Sequence, residues 1–172
     1  KQGRYDLALE QRFRSRDIRD RLGMKNTDGY AVLLSNIAAD LTKKADFASA
    51  RRYYNESRSI RDRLGMGKTY GYAILLSNIG YLYMKTGDVD RALEHYMQSE
   101  KLFESLDSAG TVNYGILIFN MAETYEKRGD FSSALDNYRR ALKIFKKEKY
   151  RGFRNEAAEN GIRRLSEKAG KP

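Results

Sequence analysis

The sequence predicts an all-α protein in which antiparallel helix pairs stack side by side into a superhelix. Three observations support this fold class. The same residue types recur every 42 positions, as Ala8, Ala50 and Ala92 illustrate. Each repeat contains two runs of apolar residues at helical spacing, separated by a short break. Proline, the strongest helix breaker, occurs only at Pro172.

The period divides the chain into one domain of repeated segments, and no insertion disturbs the spacing. Segments 15–24 (SRDIRDRLGM) and 57–66 (SRSIRDRLGM) differ at one position. Gly3 matches the turn that precedes a second helix. The first helix of that repeat is absent, so we expect a piece of a longer protein. The predicted segments are 1–26, the second helix of a truncated repeat; 27–68, 69–110 and 111–150, three full repeats; and 151–172, a C-terminal capping helix that ends the stack with a polar face.

Each full repeat begins with a threonine that can accept a hydrogen bond from the start of its first helix, at Thr27, Thr69 and Thr111. A break such as Lys85–Asp88 then ends the first helix, since glycine favours helix termination and aspartate caps the next helix. Small residues near the break allow the two helices to approach closely. These small residues are Ala38, Gly80 and Ala122, predicted to face Ala50, Ala92 and Ala134.

The spacing of the small and aromatic residues resembles the tetratricopeptide repeat over about residues 1–147. The resemblance implies a right-handed α–α superhelix whose first helices line a concave groove. Leucine or isoleucine replaces the usual tryptophan, and the usual closing proline is absent. The 42-residue period is similar to that of kinesin light chains, of Pins-type adaptors, and of repeats fused to bacterial signalling proteins. The matching residues are Gly80, Tyr83, Gly87, Ala92, Tyr96, Ala122, Tyr125, Gly129, Ala134, Tyr138 and Ala141.

Composition narrows the function classes. The chain contains no cysteine, so disulfides and thiol chemistry are excluded, and His95 is the only histidine. We therefore expect no enzyme activity, no metal and no cofactor. No run of about 18–20 apolar residues suggests a membrane span, and we expect a cytoplasmic location. The net charge is +10, and the basic excess is concentrated at the two ends.

The best candidate for a binding feature is a series of asparagines one period apart: Asn36, Asn78 and Asn120. The resemblance places this position in the groove. A carboxamide both donates and accepts, so it can bind the backbone of an extended peptide without reading its side chains. First helices about 10 Å apart would meet roughly every third residue of such a peptide. The alternative is that these asparagines hydrogen-bond the neighbouring repeat.

The same register predicts further groove residues that would select a peptide with apolar anchors. The lysines at the helix ends could pair with an acidic ligand, or they could simply interact with the negative helix terminus. Two acids, Glu123 and Glu126, lie three residues apart on one helix and could suggest acid–base chemistry. We interpret them instead as charges that set the electrostatics of the groove. The predicted positions are Val32, Ser35, Ala39, Thr42, Ile74, Ser77, Tyr81, Met84, Ile116, Phe119, Glu123 and Glu126, with Lys43, Lys85 and Lys127 at the edge.

Several other interpretations are less favoured. Heat-shock co-chaperones of this family use a carboxylate clamp, but only Asn78 fits that pattern here. The arginine-rich segment 12–21 suggests nucleic acid, yet its spacing predicts ion pairs within one helix, such as Glu10–Arg14 and Arg16–Asp20. The basic C-terminal segment could contact nucleic acid, an anionic membrane or an acidic partner. No nucleic-acid motif accompanies it.

Two functional hypotheses follow. In the first, the protein is a non-enzymatic scaffold that binds an extended peptide of a partner through the asparagine series. In the second, it is a regulatory or oligomerisation module of a larger signalling protein, in which the unpaired N-terminal helix and the basic ends contact attached domains, another copy or nucleic acid. A dimer whose population depends on concentration would favour the second hypothesis.

Overall fold

The computed structural model describes residues 2–169, with side chains for residues 6–168. Within this range the chain is entirely helical and contains no strand, so the predicted all-α class is confirmed. A short 3₁₀ turn, Met24–Asn26, follows the first helix. The helices are α1 (Gln2–Arg21), α2 (Asp28–Lys43), α3 (Phe47–Arg63), α4 (Tyr70–Thr86), α5 (Val89–Ser105), α6 (Val112–Arg128), α7 (Phe131–Lys147) and α8 (Arg154–Ala169).

The helices follow the 42-residue period closely. The first helices α4 and α6 begin at Tyr70 and Val112, and α8 begins one period later at Arg154. The helix predicted as a cap therefore lies in the register of a first helix. In the same way α1 ends at Arg21, one period before α3 ends at Arg63. Thus α1 occupies the register of a second helix.

Gly3 was expected to form the turn before α1, but the structure includes it in that helix. Glycine is tolerated in the first turn, because the first four backbone N–H groups of a helix have no partner within it.

Local hydrogen bonds set the start of each helix. Thr27 accepts a hydrogen bond from the backbone N–H of Tyr30 at 3.2 Å, and Thr69 and Thr111 repeat this contact one and two periods later. Asp88 accepts from the N–H of Arg91 at 3.2 Å, which caps α5. These contacts satisfy N–H groups that would otherwise lack a partner.

The helix pairs approach closely at the predicted small residues. A Cβ added at Gly80 would lie 2.6 Å from ring carbons of Tyr96 and 3.1 Å from the carbonyl oxygen of Ala92. Both Ala92 and Tyr96 are fully buried. The missing side chain at Gly80 makes room for the Tyr96 ring and lets the backbone of α5 at Ala92 approach α4 closely.

Neighbouring first helices touch one another along the stack, as α2 with α4, α4 with α6, and α6 with α8. Neighbouring second helices approach less closely in the described part of the chain, and long side chains join them, as where Arg16 of α1 donates to the Tyr53 hydroxyl of α3. The stack therefore curves, with the first helices on its inner side. Tyr72 joins successive repeats, since its hydroxyl donates to Asp62 of the preceding repeat at 2.7 Å. Within residues 2–169, no helix combines the length and hydropathy that crossing a bilayer requires.

Candidate functional site

A cavity of about 190 Å³ opens on the inner side of the stack, between α2, α4 and α6. Tyr54 of α3 and Arg154 of α8 complete its lining. The polar lining residues are neutral or basic. The cavity therefore offers carboxamides, phenol groups and cations within a confined space. Its lining residues are Ala39, Lys43, Tyr54, Asn78, Tyr81, Ile116, Asn120 and Arg154.

Two members of the asparagine series, Asn78 and Asn120, line this cavity together. Asn78 is partly buried, whereas Asn120 is only 4% exposed and its side-chain oxygen has no hydrogen-bond partner. Asn36 is exposed and lies outside the lining of the cavity. Among the residues whose side chains are described, none of the three forms a side-chain hydrogen bond with a neighbouring repeat. The alternative role predicted for them is therefore not seen in this part of the chain.

Some of the predicted groove residues are instead buried in the helix pairs. The Ser35 hydroxyl lies 2.7 Å from that of Ser57 on α3, and Ser57 in turn donates to the carbonyl oxygen of Ala31. Ser35 therefore faces the second helix of its own repeat and not the groove. Thr42 turns inward as well, donating to the carbonyl oxygen of Ala38. Buried residues from the predicted set are Ser35 (7% exposed), Thr42 (3%), Ser77 (7%), Met84 (2%) and Phe119 (3%).

The three predicted groove lysines have different surroundings. Lys43 pairs with Asp40 at 3.3 Å, and Asp40 is also paired with Arg12 of α1. Lys85 lies over the ring of Tyr81, with Nζ 5.3 Å from its centre.

Lys127 donates to the carbonyl oxygen of Met84 at 3.4 Å, close to the C-terminal end of α4. For Lys127 this matches the predicted interaction with the negative end of a helix.

Glu123 is the acidic group nearest to this cluster of cations. Burial raises its pKa above the ordinary value, and the nearby positive charges of Arg154, Lys85 and Lys127 partly oppose that rise. Its neighbour Glu126 raises the pKa further by repulsion. The carboxylate thus pays a desolvation cost that the surrounding cations only partly compensate.

Helix α8 closes the groove at the third repeat. Arg164 binds both carboxylate oxygens of Glu126 at 2.7 Å, and Tyr138 donates to the same carboxylate at 3.0 Å. The Arg154 guanidinium lies 5.8 Å from the centre of the Phe119 ring. Phe119 and Glu126 are therefore covered or engaged by the chain itself. Sequence reasoning missed Tyr54 and Arg154, although the period does place Arg154 at the start of a first helix.

The single histidine lies on the outer side, stacked on Tyr83 with ring centres 5.4 Å apart. Burial lowers the pKa of His95, and the positive charge of Arg58 lowers it further. Within the described residues, no group of three or more histidines and carboxylates is arranged to hold a metal ion. His95 therefore contributes packing at this position.

The arginine-rich helix α1 forms some of its predicted ion pairs. Arg14 binds Glu10 at 2.7 Å, as its spacing suggested. Arg16 instead binds Asp17 at 2.7 Å and donates to the Tyr53 hydroxyl of α3 at 2.7 Å. The predicted partner of Arg16 one turn further along is therefore replaced by a contact between repeats.

Comparison with known proteins identifies related repeats. Residues 71–147 match the family described as Tetratricopeptide repeat. No curated protein matches the sequence.

Among solved structures, BtubC (BKLC) from P. vanneervenii is similar, with a TM-score of 0.73 and 25% identity over 87% of this chain. This chain spans 60% of the length of that protein.

A putative kinesin light chain from Podosopora anserina, with nearly identical TPR-like repeats, has a TM-score of 0.73 at 13% identity. That match covers 98% of this chain and 81% of the other. A variant of the same protein gives 0.74 at 14% identity, covering 98% and 80%. All these structures share the superhelical stack of helix pairs.

Proposed function

Because this chain is built of tetratricopeptide repeats, we propose that it is a scaffold that holds an extended peptide segment of a partner protein along its first helices. Such repeats generally mediate protein–protein interaction, and proteins built from them are typically non-enzymatic scaffolds. The observation that carries the proposal is the shared cavity of Asn78 and Asn120, whose carboxamides form no hydrogen bond with a neighbouring repeat among the described side chains.

The proposed mechanism is capture of the peptide backbone. Each carboxamide accepts one backbone N–H and donates to one carbonyl oxygen. Exposed Asn36 would extend the same row along the open part of the groove. Tyr81 and Ile116 provide apolar surface beside the row, while Lys43, Lys85, Lys127 and Glu123 set the charge of the edge. The buried serines, Met84 and Phe119 act by supporting these residues.

The test begins with a displayed library of random peptides of about 12 residues, which span about 40 Å when extended at about 3.3 Å per residue. Selected peptides are synthesised and titrated by fluorescence anisotropy. Replacing both Asn78 and Asn120 with alanine should weaken binding about 1000-fold, since it removes four hydrogen bonds worth about 1 kcal/mol each. Circular dichroism should show unchanged helicity.

Asn55→Ala provides the matched control, because Asn55 is an exposed asparagine on α3, away from the cavity. It should bind every selected peptide like the unmodified protein. Equal affinity of the Asn78/Asn120 double variant and the control would rule out the carboxamide mechanism.

A second candidate function rests on the bare face of α1. Ile18 is 56% exposed and Leu22 is 67% exposed, and both border an open hollow of about 810 Å³. The equivalent face of each other second helix is covered by the first helix of its own repeat. An apolar strip of this kind is typical of an interaction surface.

The chemistry of that face indicates its occupant. On α3, Arg61 pairs with Asp28, in the first turn of α2, at 2.9 Å. The equivalent α1 residue is Arg19, which has no ion pair among the described residues. The proposed occupant is a helix of an attached domain that resembles α2 and carries an acid in its first turn. In this role the protein is a regulatory module whose end receives a helix.

A conformationally stapled peptide of residues 26–45 serves as the probe for that face. Labelled peptide should bind the protein, and Arg19→Asp should abolish binding until Asp28 of the peptide is changed to arginine. Failure of the charge exchange to restore binding would contradict the assignment. A dimer that grows with concentration in sedimentation would instead identify the occupant as a second copy.

A further inference from the structure

The turn between α7 and α8 departs from the other turns that join one repeat to the next. The period places Thr27, Thr69 and Thr111 before their first helices, and Phe153 stands at the fourth equivalent position. Phenylalanine has no side-chain oxygen, so it cannot cap α8 as the threonines cap the earlier first helices. Its ring is 70% exposed, the largest value among the exposed large apolar side chains of the described residues. The position therefore lacks a stabilising cap and presents an aromatic ring to solvent.

A second position in the same turn also departs from the favoured residue type. Lys149 adopts a φ of 51°, in the left-handed region, where the first two turns have Gly23 and Gly65 at 68°. The third turn has Asp107, a residue type that visits this region more readily than lysine does. Residues that break a local rule without an evident gain in packing are typical of functional sites. Lysine and phenylalanine at these two positions therefore indicate a role other than folding.

The same turn carries positive charge that no neighbour compensates. Residues 143–154 contain six lysines and arginines and one acid, Glu148. Lys147, Lys149 and Arg151 are exposed, and none of them forms an ion pair among the described residues. These three cations are therefore available to an external anion.

Internal contacts hold this turn in one shape. The Tyr150 ring packs on Phe145, with ring centres 4.8 Å apart. Asn155 donates a hydrogen bond to the Tyr150 carbonyl oxygen, and a Cβ added at Gly152 would collide with the Tyr150 ring. Phe153 and the cations beside it are thus presented on a pre-ordered segment, which lowers the entropy cost of binding.

An anionic bilayer surface matches both features of the turn. Its headgroups supply negative charge, and the hydrocarbon below them accepts an apolar side chain. Stable attachment to a membrane surface takes two signals together, such as a basic cluster and an apolar anchor.

A nucleic acid would also attract the cations, but its bases need stacking surfaces and hydrogen-bonding groups. These groups are already engaged in this turn. The Arg154 guanidinium lies 4.7 Å from the centre of the Phe153 ring, and the Asn155 amide is bonded to the Tyr150 carbonyl oxygen. The turn therefore favours a lipid surface over a nucleic acid.

We propose that the turn of residues 147–153 docks on the surface of an anionic lipid bilayer. Phe153 enters the layer below the headgroups, and Lys147, Lys149 and Arg151 lie among the headgroups. This contact is independent of the carboxamide mechanism, and it would bring a bound partner to the membrane surface.

Vesicle sedimentation tests the docking. The protein should sediment with vesicles of mixed phosphatidylcholine and phosphatidylserine and stay in solution with phosphatidylcholine alone. Added salt should weaken the binding, because it screens the charges. Changing Lys147, Lys149 and Arg151 to glutamine should lower the partition coefficient about 100-fold, at about fivefold for each basic residue near an anionic leaflet. A protein that does not sediment with the mixed vesicles would overturn the proposal.

The matched control removes the same charge elsewhere. Arg52, Arg139 and Arg163 are exposed on helices and lie outside the turns. Their change to glutamine should leave most of the binding in place. An equal loss in this control would show that net charge alone matters and would overturn the assignment to this turn. Binding to a DNA or RNA duplex, without binding to vesicles, would overturn it in favour of a nucleic acid.

Phe153→Thr separates the anchor from the fold, because threonine is the residue that the period has at this position. The change should lower the partition coefficient about tenfold, the lower end of the effect of burying a phenylalanine side chain. The melting temperature should stay the same or rise, since threonine can cap α8. Unchanged binding to the mixed vesicles would contradict the insertion of Phe153.

Phe153→Trp reports directly on the position of this side chain, because the chain has no other tryptophan. The mixed vesicles should shift its fluorescence to shorter wavelength as the indole enters the apolar layer. Phe131→Trp is the matched control, since Phe131 is 45% exposed at the start of α7, the opposite end of that helix. Its emission should not change. No shift at position 153, or the same shift at both positions, would overturn the proposed orientation.

Discussion

The residues just after the first helices test how backbone conformation affects stability, because no side-chain contact contributes at these positions. Gly87 and Gly129 adopt φ values of 86° and 85°, in the left-handed region. The first repeat has Ala45 in this region instead, with φ of 63°. A Cβ added at Gly87 or Gly129 would meet no atom within 4 Å. Exchanging glycine and alanine here therefore changes only the backbone energy.

The expected magnitude is the difference between two terms. An L-residue in the left-handed region costs about 1–2 kcal/mol. Glycine loses more conformational entropy on folding, which offsets about 0.5–1 kcal/mol of that difference. Gly87→Ala should therefore lower the free energy of unfolding by about 0.5–1 kcal/mol, and Ala45→Gly should raise it by a similar amount. For a chain of this size 1 kcal/mol shifts the melting temperature by about 2–4 °C.

The assay is urea unfolding followed by far-UV circular dichroism. All variants are fitted with the same dependence of the unfolding free energy on urea concentration. Gly67→Ala is the matched control, because a Cβ there also meets open space but the backbone φ is not positive. It should be neutral or slightly stabilising. A Gly87→Ala protein as stable as the unmodified chain, or an Ala45→Gly protein that is less stable, would refute the argument.

Three further outcomes are expected. NMR titration of the single histidine should give His95 a pKa below 6.5, because burial disfavours the charged ring. The neutral ring then stabilises the fold fully above pH 6.5, and this stabilisation is lost as the pH falls from 6.5 through the lower pKa of the folded state. A measured pKa at or above 6.5 would contradict this. Glu123→Gln should stabilise the protein at neutral pH, since a raised pKa means that the folded state favours the protonated acid; this gain should vanish below about pH 4.5, and a gain independent of pH would argue against desolvation. Ser57→Ala should cost about 1–3 kcal/mol in urea unfolding, because it removes the second hydrogen bond of the Ala31 carbonyl and the partner of the buried Ser35 hydroxyl. No change in stability would contradict this expectation.

The fold could be predicted from the sequence because its determinants are local. The caps at Thr27 and Asp88 close within three residues of the chain, so residue type and spacing suffice to place them. Close packing at Gly80 likewise follows from one repeated small residue. The period then extends each local prediction to the next repeat.

The candidate site was harder to predict because it depends on which side of a helix each residue faces after packing. Ser35 and Asn36 are neighbours, yet the first is buried against Ser57 and the second is exposed. The register of helix α8 was harder still to predict. This helix carries Arg164 where the other first helices carry alanine or glycine, which concealed its register and hence the placement of Arg154 in the cavity.

Because successive helix pairs start one period apart, the spacing affects how the length of such a chain can change. Removing residues 69–110 would join Lys68 to Thr111, and Thr111 would still accept the N–H of Tyr114 three residues later. Gene duplication or loss of one whole 42-residue unit thus preserves every helix start on both sides of the junction. A deletion that is not a whole number of periods would instead shift the helices on one side of the junction out of register with those on the other side. Recombination in whole units is therefore the route by which this array can grow or shorten without refolding its neighbours.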